Sequence, residues 1–468
     1  MTPLLRLSLT AVAASALLAG CVDLAPRYER PAAPVPEVFP YADAASGAGA
    51  VPAAQRDWRD FFADERLRQL IGMALANNRD LRVAVLNIEA ARAQLGLRRA
   101  DEFPTVNLGA GASRAPSVVN GQETTTYQVG LSVTSYELDL FGRVRSLTSA
   151  AQAQLAASTE ARKAAQISLV STVASTYYAW RADDELLKLS QDTLKTRQDS
   201  LKLTQLKFDN GVASDFDLQA ARSATEAARV ALAQQQRQRD LDLDALALLL
   251  GQPVPTDLPP AGPWRTDVIP DVPPGLPADV LLRRPDVRQA EDQLIAANAD
   301  IGAARAAFLP HITLTGSFGT ASTQLSRLFH GTAWTFAPQL LQPIFDAGRN
   351  SANLKASQVA RDIAVAQYER SVQSAFRDVA DALAGRATLD EQLQATAAEA
   401  DAEQRRYQLS ELRYRQGVAS SLELLDAQRS LFAVQQALIQ TQLAALQNRI
   451  GVYRALGGGW TEPTANGG

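Results

Sequence analysis

The sequence predicts a mainly α-helical protein that also contributes transmembrane β-strands and is built from two copies of one unit; three observations lead there. Residues from about 80 to 251 recur from about 286 to 457 at a constant offset of 206. Pro104 matches Pro310, Gly142-Arg143 matches Gly348-Arg349, Gly211-Val212-Ala213-Ser214 matches Gly417-Val418-Ala419-Ser420, and Leu250-Gly251 matches Leu456-Gly457. Each copy carries two stretches of apolar and polar alternation. Between Arg143 and Asn210 there is neither proline nor glycine, so 68 residues are free to run as one helix of about 100 Å. A duplicated unit that keeps register through long Ala-rich helices suits a pseudo-symmetric assembly in which each copy fills an equivalent slot.

The chain has 468 residues, with 46 basic against 50 acidic side chains and a net charge of −4. That balance gives no electrostatic reason to expect a nucleic-acid partner. No internal stretch reaches the roughly 18 consecutive apolar residues of a membrane-spanning helix, so any crossing is by strands. At the N-terminus Arg6 precedes an apolar run from Leu7 to Leu18, followed by Leu18-Ala19-Gly20-Cys21. Residues 1–20 therefore read as a signal peptide. The last four positions resemble the bacterial lipobox, which predicts lipidation of Cys21. A core cysteine behind an ordinary signal is the alternative. Cys21 is the only cysteine, so no intrachain disulfide is possible. Residues 21–56, with Pro26, Pro31, Pro34, Pro36, Pro40 and Pro52, suit an extended lipidated tether.

The first repeat spans 57–251. Leu81, Val85, Ile88, Ala91 and Leu95 mark an amphipathic helix from Asp80 to Arg99, which Phe103-Pro104 ends because the residue before proline is pushed out of helical angles. Val106, Leu108, Ala110 and Ala112 then alternate with Thr105, Asn107, Gly109 and Gly111, and after a polar loop Tyr127, Val129, Leu131 and Val133 alternate with Gln128, Gly130, Ser132 and Thr134. Such alternation is the pattern of a transmembrane strand with one face in lipid. By itself it does not distinguish lipid from a protein core. In the second copy Ile312, Leu314 and Phe318 keep phase, whereas Trp334 and Phe336 fall one residue out, as a loop slip or a β-bulge produces.

The long helix shows Leu187, Leu194, Leu201 and Phe208 at heptad spacing, matched by Leu393, Ala400, Tyr407 and Tyr414. The last helix has two adjacent series, Leu425, Phe432, Ile439, Leu446, Tyr453 and Leu424, Leu431, Leu438, Ala445, Val452. One seam makes a pair; adjacent seams allow partners on both sides, as a closed ring demands. An ordinary antiparallel bundle is the other possibility. Gly211 and Gly417 suit the left-handed position that ends a helix, and Ser214 with Asp217, like Ser420 with Glu423, has capping-box spacing. Residues 252–285 are proline-rich and form a linker or belt. The second repeat spans 286–457, and 458–468 is a flexible tail.

Four strands per chain cannot enclose a barrel, and open edges are not tolerated in lipid, so oligomerisation follows. Two chains give eight strands with a filled interior; three give twelve, wide enough for an aqueous lumen.

Tyr136-Glu137-Leu138-Asp139-Leu140-Phe141-Gly142-Arg143, Arg283-Arg284-Pro285-Asp286-Val287-Arg288, Leu424-Leu425-Asp426-Ala427-Gln428-Arg429 and Ala455-Leu456-Gly457-Gly458-Gly459-Trp460 resemble the TolC-like outer membrane factors, specifically the NodT-type efflux lipoproteins. Tyr28-Glu29-Arg30-Pro31 extends the likeness to the tether. The resemblance implies a homotrimer with a twelve-stranded outer-membrane β-barrel and a long periplasmic α-helical barrel. It also implies a passive exit duct for drugs and other toxic small molecules, docked through a periplasmic adaptor (membrane fusion) protein to an inner-membrane transporter of the RND class. By motif match Leu422, Asp426 and Arg429 line the periplasmic gate, where Asp426 and Arg429 share a helix face and can pair across a ring. A pair of solvated surface charges is the plainer account of the same two residues. Gly211, Val212, Ala213 and Ser214, with Gly417, Val418, Ala419 and Ser420, resemble the tips that meet the adaptor, although their turn chemistry alone explains them. Asp209, Asp215 and Asp217 add negative charge at the first tip.

Catalysis has little to stand on. His311 and His330 are the only histidines, and there is no Cys/His ligand set, phosphate-cradling loop or nucleophile elbow, so no catalytic, cofactor or metal site is expected. Two other readings stay open: a duct for type I protein secretion, and a periplasmic coiled-coil adaptor or scaffold lipoprotein, which would lack paired strand hairpins.

Overall fold

The computed structural model describes residues 24–40, 57–116, 121–269 and 278–458. The expected signal peptide, residues 21–23 and 41–56 of the expected tether including Cys21, 270–277 of the linker and the tail from Gly459 lie outside the described residues. In chain order the elements are α1 (Trp58–Phe61), α2 (Glu65–Asn77), α3 (Arg79–Ala100), β1 (Val106–Pro116), β2 (Glu123–Leu138), α4 (Arg143–Asp209) and α5 (Asp215–Leu250). A 3-10 turn, Ala278–Arg283, follows within the linker, then α6 (Pro285–Ala306), β3 (His311–Ser322), β4 (Ala333–Leu341), α7 (Arg349–Arg415) and α8 (Ser421–Ala455). Both α4 and α7 have 67 residues and begin at the matched Gly-Arg landmarks. The glycines that recur between repeats sit where the backbone turns left-handed: φ is +71° at Gly142 and +86° at Gly348, +73° at Gly211 and +77° at Gly417, +67° at Gly251 and +74° at Gly457. A side chain is strained there, which accounts for the repetition of this residue at these landmarks.

The chain divides into two compact units that cut across the repeats. One holds residues 24–33, 86–160 and 288–371 among those described. Its centre is a single antiparallel sheet in the order β1-β2-β3-β4, with β1 and β4 as edges. The strap of residues before Pro31 is fastened to α6: Arg305 donates to the Leu24 carbonyl (3.0 Å), Asn298 to the Pro26 carbonyl (2.7 Å), and Tyr28 to Glu291 (3.0 Å). Arg30 grips the same Glu291 carboxylate bidentately at 2.7 and 3.0 Å. A fork of this kind is among the stronger polar contacts and gives the Tyr28–Pro31 motif a structural task. Burial, then Glu291, pushes the Tyr28 phenol well above its usual range.

The other unit holds 34–40, 57–85, 161–269, 278–287 and 372–458 of the described residues. Its apolar centre gathers Phe61, Phe62, Leu67, Leu70, Ile71, Leu246 and Leu250, all fully buried. Phe61 stacks on Tyr453 with centroids 3.9 Å apart. Arg284, from the Arg-Arg-Pro-Asp motif, is buried and joins three segments. It donates to the Ala455 carbonyl at the end of α8 (2.7 Å), to both Asp286 oxygens (3.0 and 2.6 Å) and to Asp378 on α7 (3.3 Å). Gly385 lets α7 and α8 approach: a Cβ there would lie 2.2 Å from the Asn448 amide, which instead donates to the Ala382 carbonyl at 3.0 Å.

Within one chain the heptad series of α4 is not the buried one, whereas Ala400 and Tyr414 of the matched α7 series are buried. Leu187, Leu194 and Leu201 are only half-buried and Phe208 is exposed, while the buried stripe at the same spacing is Ser190, Arg197 and Thr204. On α8 the series Leu424, Leu431, Ala445 and Val452 is buried apart from half-buried Leu438, whereas the other series is half-exposed at Leu425, Phe432 and Ile439 and buried only at Leu446 and Tyr453 within one chain.

Asp183 on α4 is buried and accepts from the Gln235 amide of α5 at 2.9 Å. Burial pushes its carboxyl up to about 6, and the neighbouring Asp242 and Asp184 carboxylates push the same way. Below about pH 4 the group is protonated both folded and unfolded. As pH rises towards 6 the unfolded chain releases its proton first, so this contribution to stability is lost across that window. Asp183→Asn is therefore expected to raise the melting temperature near neutral pH by roughly 2–4 °C and leave it unchanged below about pH 4. Equal shifts at both pH values would count against this assignment.

Candidate channel wall and gate

The sheet sorts its side chains cleanly. Leu108, Leu131, Phe318 and Trp334 stand in one cross-strand row, and Val106, Val133, Gly316 and Phe336 in the next. This face is unpacked within the chain: Leu108 is 77 % exposed and Trp334 72 %. Asn107, Ser132, Ser317 and Thr335 alternate onto the opposite, polar face. The phase difference of the fourth strand has a visible origin. Register shifts between Val133 and Tyr136, where Thr134 and Ser135 together face Thr315, and Ser135 takes φ +53° while its N–H donates to the Thr315 hydroxyl (3.2 Å). The extra residue moves β2 from odd to even positions, so Tyr136 and Leu138 continue the apolar face and stand, across Leu314 and Ile312 of β3, level with Pro338 and Leu340 of β4. A continuous apolar face of this size, on a strand ladder with free edges, is what lipid contact requires.

In the second unit the two helical hairpins close alike. Val212 N–H donates to the Lys207 carbonyl at 2.8 Å and Val418 N–H to the Arg413 carbonyl at 2.9 Å, each one residue past the left-handed glycine. Ser214 and Asp217 form the complete capping box. Ser420 accepts from the Glu423 N–H (3.2 Å), but Glu423 turns its carboxylate to Arg413 (3.3 Å), so the second tip has half a box. Ser421 donates to Asp217, tying the two tips together, and that bond with the one from Ser214 holds the Asp217 carboxyl below its usual range. Val212, Phe216, Val418 and Leu422 leave large apolar groups exposed at these tips.

Leu422, Asp426 and Arg429 lie on one face of α8 and share a cleft of about 510 Å³ with Arg197 of α4 and an alanine-rich face of α5. Asp426 is bridged inside the chain by Arg429 (2.7 Å) and by Arg406 of α7 (3.1 Å), which hold its carboxyl below the usual range. Arg429 remains 79 % exposed at the side chain, with donors free for further contact. Sequence reasoning missed Arg406, although Arg413–Glu423 and Arg406–Asp426 are opposite charges mirrored about the Gly417–Ser420 tip. It also missed Arg197, which is buried and donates to Gln428, itself bonded to the Ser200 hydroxyl at 3.1 Å. Burial lowers the Arg197 pKa. No sequence pattern marks a buried arginine that bonds an amide instead of a carboxylate.

A half-exposed apolar sheet joined in sequence to paired 67-residue helices defines an outer-membrane channel protomer of mixed β and α construction. The chain belongs to the outer membrane efflux protein family, whose model matches residues 70–252 and 276–458. It is similar to the probable efflux pump outer membrane protein TtgC of Pseudomonas putida, with 47% identity over 98% of this chain and 96% of that protein. It is also similar to outer membrane protein OprJ of Pseudomonas aeruginosa, with 44% identity over 96% and 95%. Among solved structures it is similar to the open state of the Neisseria gonorrhoeae MtrE outer membrane channel, with TM-score 0.85, 40% identity, and 94% of this chain and 98% of that one covered. CusC gives TM-score 0.84 and 39% identity over 94% and 100%.

Proposed function

We propose that three copies of this chain close a twelve-stranded barrel in the outer membrane and act, without catalysis, as the exit duct of a tripartite efflux pump. One observation carries this reading: a four-stranded sheet with an exposed apolar face and, among the described residues, no strand on either edge. Backbone groups on such edges cost several kcal/mol each in hydrocarbon unless paired, and sister β1 and β4 edges supply the pairing. The half-exposed Leu425, Phe432 and Ile439 seam of α8 gives the helices a matching surface for neighbouring copies. Leu422, Asp426 and Arg429 form the periplasmic constriction, and the Gly211–Ser214 and Gly417–Ser420 tips meet a periplasmic adaptor that links the duct to an RND-type inner-membrane transporter. Cys21 carries the lipid. Relatives named as efflux pump outer membrane proteins support efflux as the task.

Deleting the gene in a strain without redundant ducts is expected to sensitise cells to several toxic compounds at once, with resistance restored by the intact gene. Unchanged susceptibility across a panel of dyes, detergents and antibiotics would count against the proposal.

A further inference from the structure

On the apolar face of the sheet lies a recess of about 480 Å³ that none of the described residues fills. Gly316 forms its floor, in the row where Val133 and Phe336 project on either side, and Leu131, Leu314 and Phe318 wall it. The recess exists because of two local features. A glycine stands where the neighbouring rows carry large side chains, and the bulge at Thr134–Ser135 changes the spacing between Val133 and Tyr136. Tyr136 is fixed at one end by its hydroxyl, which donates to the Glu102 carbonyl at 3.0 Å. The lining is almost wholly hydrocarbon, so its ligand is a hydrocarbon chain.

The same unit shows which chain is within reach. Leu24 is held by Arg305 in the last turn of α6, a few residues before β3 begins at His311. The strap is seated closely there: a Cβ on Gly302 would lie 2.8 Å from the Ala25 nitrogen. Cys21 is three residues from Leu24, a span of at most about 10 Å. The described strap thus ends at Leu24 beside the last turn of α6, which leads into the end of the sheet where Pro104, Val106 and Leu314 line the recess, and a chain tethered near a groove returns to it after each displacement by a free lipid.

Taking the apolar face as the membrane-facing wall of the proposed barrel, we infer that the recess over Gly316 binds an acyl chain carried by Cys21 of the same protomer. The strap then does more than anchor: by fixing Leu24, Pro26 and Tyr28 on α6 it sets the lipid against its own barrel wall.

The test uses the full-length protein in native outer membranes, with a benzophenone amino acid replacing Phe336, which lines the recess, or Trp334, two residues along the same strand and outside it. After illumination, peptides are identified by mass spectrometry. At Phe336 the expected adduct is the acylated peptide that begins at Cys21, at least ten-fold over its level at Trp334, where membrane lipids are captured instead. Gly316→Leu, which fills the floor, is expected to abolish the Phe336 lipopeptide adduct while trimers still form. Capture of membrane lipids alone at Phe336, an unmodified Cys21, or an adduct that survives Gly316→Leu would overturn the assignment and leave the barrel intact. Absence of any lipid adduct at both positions would overturn the membrane-facing wall itself.

Discussion

Replacing Asp426 and Arg429 together with alanine is expected to raise the single-channel conductance of the purified protein in planar bilayers by a factor of roughly two or more. The physical reason is local. Asp426 is clamped between Arg429 and Arg406, so the carboxylate holds both guanidinium groups in place on the α7 and α8 faces near the tips. Exposed ion pairs of this kind contribute little to folding, so the double variant should assemble normally and change only the proposed constriction. Because its partners hold the Asp426 carboxyl below the usual range, wild-type conductance should stay constant as pH falls from neutral and rise only when the medium becomes acidic enough to protonate it. Arg406→Ala should share part of the effect, since it removes the clamp from α7. Conductance equal to wild type in the double variant would remove these residues from the gate.

Arg284→Ala is expected to destabilise the protein by about 3 kcal/mol, the low end for breaking a buried ion pair because Asp286 still reaches solvent. The loss leaves the Ala455 carbonyl at the end of α8 without the donor it now has at 2.7 Å and releases Asp378 from its contact at 3.3 Å. Arg284→Lys keeps the charge but not the planar fork that serves two carboxylates and a carbonyl at once, so an intermediate loss is expected. Thermal unfolding followed by circular dichroism, together with the yield of assembled oligomer, measures both. A melting temperature within about 1 °C of wild type for the alanine variant would show that the network is dispensable.

These two cases mark how far the sequence carried. The repeat, the helix ends at Gly211 and Gly417 and the strand alternation rest on short-range rules of backbone sterics and periodicity, and the structure places them where those rules put them. The buried stripe of α4 was not legible, because Ser190, Arg197 and Thr204 carry no apolar signature and the leucines beside them are only half-buried within one chain. Alternation alone announced the phase slip at Trp334 and Phe336 but not its place; that depended on Ser135 adopting a left-handed backbone opposite Thr315. Arg284 was visible as part of a motif, yet its work depends on Ala455 and Asp378, far off in sequence.

The protomer's open edges can be tested most directly by counting chains. Native mass spectrometry of the detergent-solubilised protein, released gently from its micelle, is expected to give a single species of three copies. A stable species of one copy, active in conductance, would contradict the shared wall.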